Sequence, residues 1–149
     1  MNDRPTPSAP ARECTSRLRV RYDECDPMGV AHHSSYVPWL EIGRTELLRS
    51  SGVSYAALER EGVLMVIVKL EVAYRRPVKY DDVVEVRTAV VGGSRVKIEH
   101  RYEVSVVERE SETGLPFLAA AARTTLACVG REGKVRELPG WLVKSETET

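Results

Sequence analysis

Apolar and polar positions along the chain fall into two periods. Leu18, Val20 and Tyr22 alternate with Arg19 and Arg21, the period of two that a half-buried strand requires. From Ser34 to about Ser50 the period lengthens. Tyr36, Leu40, Gly43 and Leu47 stand at i, i+4, i+7 and i+11, which places them on one helical stripe. Ser34 or Ser35 is expected to cap this helix, Pro38 fits a first turn that needs no N–H from it, and Gly52 marks the stop. Gly43 costs about 1 kcal/mol of helix propensity relative to alanine, so its place inside the stripe implies that another backbone packs close against it. A short second helix is expected over residues 54–60.

Beyond that the period is two again. Leu64, Val66, Val68, Leu70, Val72 and Tyr74 are expected on one strand face that Pro77 ends, and Val84, Val86, Thr88 and Val90 follow on the next. The clearest strand signal sets Val96, Ile98, His100, Tyr102, Val104 and Val106 against Arg95, Lys97, Glu99, Arg101 and Glu103. Gly92-Gly93 and residues 108–116 read as connections, residues 117–129 as an alanine-rich strand, and residues 130–133 as a turn into a final short strand. One helix of about four turns and a run of antiparallel strands can bury their apolar faces only on each other, an α+β arrangement with the sheet around the helix.

Composition narrows the reading further. The 149 residues suit one domain. Residues 1–12, with Pro5, Pro7 and Pro10, and residues 145–149 carry too little apolar surface to offset the entropy of ordering and are expected to be tails around a domain at 13–144. The balance of 22 basic and 22 acidic side chains favours no nucleic-acid partner. The longest apolar stretch, residues 62–68, is far short of the roughly 20 residues of a membrane span, and no signal-peptide pattern opens the chain, so a cytoplasmic location with no membrane partner is expected. Cys14, Cys25 and Cys128 are odd in number and widely spaced, which suggests reduced thiols rather than disulfides or a zinc site.

The chemistry concentrates between the first strand and the helix, in Tyr22-Asp23-Glu24-Cys25-Asp26-Pro27-Met28-Gly29-Val30-Ala31-His32-His33-Ser34-Ser35-Tyr36. Asp26-Pro27 starts a turn, Gly29 permits a positive φ, and the segment leads to a helix N-terminus whose first amides lack intrahelical partners. Fixed N–H donors at a positive helix end suit an oxyanion developing on an attacked carbonyl, and a carboxylate beside them can supply the attack. Bland readings stand beside this one. Asp26 could serve only the turn, and Ser34 and Ser35 are caps first. His32-His33 offers no third ligand for a metal, so none is expected. His100 reads as a hydrogen-bonded core or interface histidine, and Cys25 as a structural thiol whose thiolate is disfavoured by Glu24 and Asp26. Glu41 and Arg44 could form a helix-surface ion pair.

The spacing of Asp26, Gly29, His33 and Tyr36, followed by Glu41 and Arg44, resembles the signature of the 4-hydroxybenzoyl-CoA thioesterase branch of the hotdog superfamily. The similarity of element order runs from about Arg19 to Val129. The resemblance implies a hotdog fold, an antiparallel sheet wrapped around one long central helix. It implies that Asp26 is the catalytic carboxylate, as nucleophile through a mixed anhydride or as general base on water. It assigns the His33 backbone N–H to the thioester carbonyl, with histidine at this position as in members acting on short or varied acyl groups. Glu41 falls about where a second branch carries its helix carboxylate and is the reserve. Gly29 and Tyr36 are implied at the substrate, and Gly93, Ser94 and Arg95, with Arg75 and Arg76 next, at the coenzyme. The implied activity is hydrolysis of an acyl-CoA by a homodimer or homotetramer, with coenzyme A only as part of substrate and product and no other cofactor. A thiol of pKa about 8.5 leaves without strong acid assistance. The alternatives are a thioesterase acting on acyl carrier protein, a hotdog dehydratase and a non-catalytic acyl-CoA-binding protein.

Overall fold

A computed structural model describes residues 11–143. Strand β1 (Glu13–Arg19) leads through a 3-10 turn (Tyr22–Glu24) and a second one (His33–Ser35) into helix α1 (Tyr36–Ser50). Then come α2 (Tyr55–Arg60), β2 (Leu64–Tyr74), β3 (Val83–Gly93), β4 (Lys97–Glu108), β5 (Phe117–Val129) and a terminal turn of helix, α3 (Gly140–Val143). The five strands form one antiparallel sheet in the order β1-β3-β4-β5-β2. No helix among the described residues is long and apolar enough to cross a membrane.

The expected stripe is the buried one: Tyr36, Leu40, Gly43 and Leu47, with Trp39, face the sheet. Tyr36, Trp39 and Leu40 meet Val84 and Val86 of β3 and Tyr102, Val104 and Val106 of β4 in one core, a hydrophobic contact worth about 25 cal/mol per Å² of apolar area removed from water. Gly43 is where helix and sheet come closest. A Cβ there would lie 2.3 Å from Thr88 Oγ1 and 3.0 Å from Val86 Cγ1. The crowding comes from β3 side chains, not from another backbone as the sequence suggested. A smaller core of Leu48, Leu58, Val63, Cys128 and Leu138 closes the other end.

Four local expectations change. β1 ends at Arg19, and Tyr22, placed on the buried face by alternation, is 80% exposed, because the chain turns into the 3-10 segment after Val20. In β2 a bulge intervenes between Ile67 and Lys69. Leu70, Val72 and Tyr74 therefore stand opposite Thr124, Ala122 and Ala120 on the helix side, whereas Leu64 and Val66 point the other way, and the single expected face is split. Gly92 and Gly93 remain within β3, paired with Glu99 and Ile98 after a bulge of their own. The short strand expected after residues 130–133 is a lone bridge, Val129 to Val135.

Of the two expected tails, residues 1–10 and 145–149 lie outside the described residues. Ala11 donates to Ser51 Oγ at 2.9 Å and Arg12 accepts from the Val90 amide at 2.9 Å.

Candidate active site

Residues 25–31 fold back on themselves as a miniature hairpin. Asp26 N–H donates to Val30 O and Gly29 N–H to Asp26 O, both at 2.9 Å, with Gly29 at φ +79° and Cys25 bridged to Ala31. Glycine supplies the positive φ that the turn needs. The hairpin is tied down on both sides. Ala31 N–H donates to Val78 O at 2.7 Å, and His32 N–H to Glu24 O at 2.8 Å. Asp26 Oδ1 accepts from the Met28 amide at 2.9 Å, an Asx turn that fixes the carboxylate's direction. Its other oxygen accepts nothing from a described residue.

The hairpin delivers the chain to the helix start, where the capping differs from expectation. Ser35 holds the N-cap position of α1 but its side chain caps no amide, and His32 caps the 3-10 turn ahead of it: its Nδ1 accepts from the Ser34 amide at 3.1 Å and meets Ser34 Oγ at 2.6 Å. Ser35 Oγ instead donates to Glu24 O at 2.7 Å. The reason is the 3-10 turn ahead of α1, which moves the first orphan amides back to residues 33 and 34. Ser34 N–H is taken by His32, and the His33 amide donates to no described residue.

Three groups that sequence reasoning did not single out hold this arrangement. Glu24 accepts from Trp39 Nε1 at 2.6 Å and from the Arg21 amide at 2.8 Å, so a core indole anchors the loop. Tyr74, from the end of β2, donates its hydroxyl to His33 O at 2.8 Å. Asp82, 1% exposed, takes Arg109 in a two-point ion pair at 2.9 and 2.8 Å and accepts from the Lys79 amide at 2.8 Å, bracing the segment against which the hairpin leans. The carboxylate beside it raises the Arg109 guanidinium above its ordinary range.

Among the predicted site residues, Asp26, Gly29 and His33 come together here. Tyr36 is the floor, 3% exposed and packed edge-on against Tyr74, its phenol pushed up to about 12 chiefly by burial and hence neutral. Arg76 flanks the same end, its guanidinium 3.8 Å above the Phe117 ring. Glu41 is on the exposed side of α1. It forms no ion pair with Arg44, which turns inward, 8% exposed. Cys25 has its thiol raised by burial and then by Glu24 and Asp26, in keeping with a structural role. Gly93, Ser94 and Arg95 lie elsewhere in the protomer, since the 11 residues of β3 set them roughly 33 Å from the Asp26 end. The turn itself requires Gly93, because a Cβ there would fall 2.5 Å from Lys97 O. Arg95 pairs with Glu137 at 3.5 Å.

With this geometry in place, comparison with known proteins is decisive about kinship. Residues 20–145 match the family described as the thioesterase-like superfamily. The chain belongs to that superfamily. The acyl-CoA thioester hydrolase YbgC of Escherichia coli is 41% identical over 73 residues, covering 49% of this chain and 54% of the relative, so the match spans about half of each. The 4-hydroxybenzoyl-CoA thioesterase of a Pseudomonas species is 24% identical over 132 residues, 87% of this chain and 94% of that protein. Among solved structures, the DHNA-CoA thioesterase from Staphylococcus aureus superposes with a TM-score of 0.75 at 30% identity, over 85% of this chain and 80% of the other. The resemblance read from the loop and the hotdog architecture therefore both hold, and the superfamily's α+β frame is the one described above.

Proposed function

We propose that this protein hydrolyses an acyl-CoA thioester and that Asp26 is its catalytic carboxylate. The observation that carries the proposal is the juxtaposition of Asp26, fixed by the Met28 amide with one oxygen left over, and a helix entry whose His33 amide has no described acceptor. A thioester carbonyl oxygen lodged at that amide gains a donor, reinforced by the positive end of α1, as negative charge builds on it. Asp26 then either adds to the carbonyl carbon, giving an anhydride that water cleaves, or takes a proton from the water that adds. Both routes break the C–S bond, release the thiol as thiolate and leave a carboxylic acid. Tyr74, through His33 O, and Glu24, through the loop, keep the donor and the carboxylate in register.

The working unit in this reading is at least a dimer. β1, at one sheet edge, shows Glu13, Arg17 and Arg19 to solvent, whereas β2, at the other, exposes Val66, Ile67, Val68 and Leu70. A charged edge resists pairing and an apolar one invites it. Antiparallel pairing of β2 with its copy sets the Tyr74 end of one strand beside the Leu64 end of the other. The Asp26 end of one protomer then shares a side with the β3–β4 turn of the partner, so Arg95 of the partner subunit and Arg76 can both serve coenzyme phosphates.

The carrier is tested by measuring thiol release from a panel of acyl-CoAs and the matching acyl carrier protein thioesters. The expected result is higher kcat/KM on the CoA esters, falling when Arg76→Ala or Arg95→Ala is introduced. Preference for the carrier protein would replace coenzyme A with that protein as the substrate's thiol, and turnover of neither would overturn the hydrolase reading.

A further inference from the structure

Midway along α1 the fold encloses a positive charge without a negative one. Arg44 is 8% exposed, and its Nη1 has no hydrogen-bond partner. Among the described residues it makes no ion pair. The Tyr55 and Tyr102 hydroxyls lie against the guanidinium but carry no charge. His100, 4% exposed, adds a second orphan, Nδ1. Burial and then Arg44 push its pKa down to about 4, so it stays neutral and adds no second charge beside Arg44. An isolated buried cation is strongly unfavourable, and buried charges in folded proteins are as a rule paired.

Arg44 and His100 both line a cleft, open to solvent, between α1, α2 and the sheet. Arg12 also lines it, and no carboxylate does. The remaining wall is largely apolar, with Leu47, Leu58, Met65 and Ile98 among its residues. Arg44 lies 11 residues beyond His33, roughly 16 Å along the helix, so this is a place apart from the Asp26 loop. Two cationic side chains, an orphan imidazole nitrogen and an aliphatic wall suit one ligand chemistry, an anion with a short apolar tail.

We propose that this cleft is a binding site for a short-chain monocarboxylate, its carboxylate paired with Arg44 and accepting from His100, its tail against Leu47, Leu58 and Met65. The site goes beyond the hydrolytic reading and does not depend on it.

Calorimetric titration of the full chain with butyrate, with its neutral isostere butyramide, and with chloride at matched ionic strength tests the inference. One butyrate per chain is expected, with butyramide and chloride at least about tenfold weaker. Arg44→Met should lose at least about tenfold in butyrate affinity while melting no lower than the parent in carboxylate-free buffer, since a matched apolar side chain removes a lone buried charge. Asp26→Asn should bind butyrate as the parent does, which separates this site from the hydrolytic one. Equal binding of butyrate and butyramide or of butyrate and chloride, undiminished binding by Arg44→Met, or loss of binding in Asp26→Asn each overturns the proposal. The butyrate-to-butyramide comparison on the parent decides it even where Arg44→Met does not fold.

Discussion

Asp82, just before β3, and His100, on β4, are both buried, and they respond to perturbation in opposite ways. Asp82 is satisfied by Arg109 and the Lys79 amide, so Asp82→Ala strands a guanidinium that is itself only 11% exposed in its side chain. Urea unfolding should show a loss of about 3–5 kcal/mol, the usual cost of breaking one half of a buried pair. His100 is held neutral with a pKa pushed from the ordinary 6.5 to about 4. The unfolded chain binds a proton there as pH falls through about 6.5 while the folded chain does not, so folding stability declines from that point and levels off below about 4. The total is roughly 3 kcal/mol at 1.36 kcal/mol per pKa unit. Unfolding free energies of His100→Gln across the same range should run flatter than the parent's, and parallel profiles would contradict this assignment. The proposed site residues Asp26 and His33 could be picked out in the sequence because loop, turn and helix start are contiguous there. Glu24, Tyr74 and Asp82 were not, since each acts on a partner 15 to 41 residues away whose position only the fold sets.

Among the elements, α1 was read from its stripe almost as it stands, because four apolar positions at helical spacing leave no second solution. What the stripe could not reveal is which strand presses on Gly43. Gly43→Ala gains up to about 1 kcal/mol of helix propensity but drives a methyl into Thr88 Oγ1, and crowding of this kind costs about 1–3 kcal/mol. Thermal unfolding should find the single variant destabilised and Gly43→Ala with Thr88→Ala largely restored, since Thr88 Oγ1 has no hydrogen bond to lose. Additive losses in the double variant would show that the contact is not the cause. β2 was read with one face because alternation carries no mark of a bulge, and the inserted residue transfers half of the strand to the other side of the sheet.

For the whole molecule, the contrast between the sheet's two edges is what supports the proposed quaternary contact. Val68 is 54% exposed on β2, so Val68→Glu leaves the protomer's core intact and places like charges across the proposed two-fold axis. Sedimentation should give a parent mass of twice 16.7 kDa or a multiple of it and a variant mass near 16.7 kDa, with thiol release falling together with assembly. A monomeric parent with full activity would remove the partner's Arg95 from the coenzyme site. Underneath all of this stands the claim that Asp26 does the chemistry. It is tested most directly by thiol release at saturating acyl-CoA for the parent, Asp26→Asn and Glu41→Gln, each with its fold verified by circular dichroism. Asp26→Asn should lose turnover by about 100-fold or more, the scale of a missing acid–base group, with Glu41→Gln close to the parent. Parental turnover in Asp26→Asn, with the loss found in Glu41→Gln instead, would move the catalytic carboxylate from the loop to the helix.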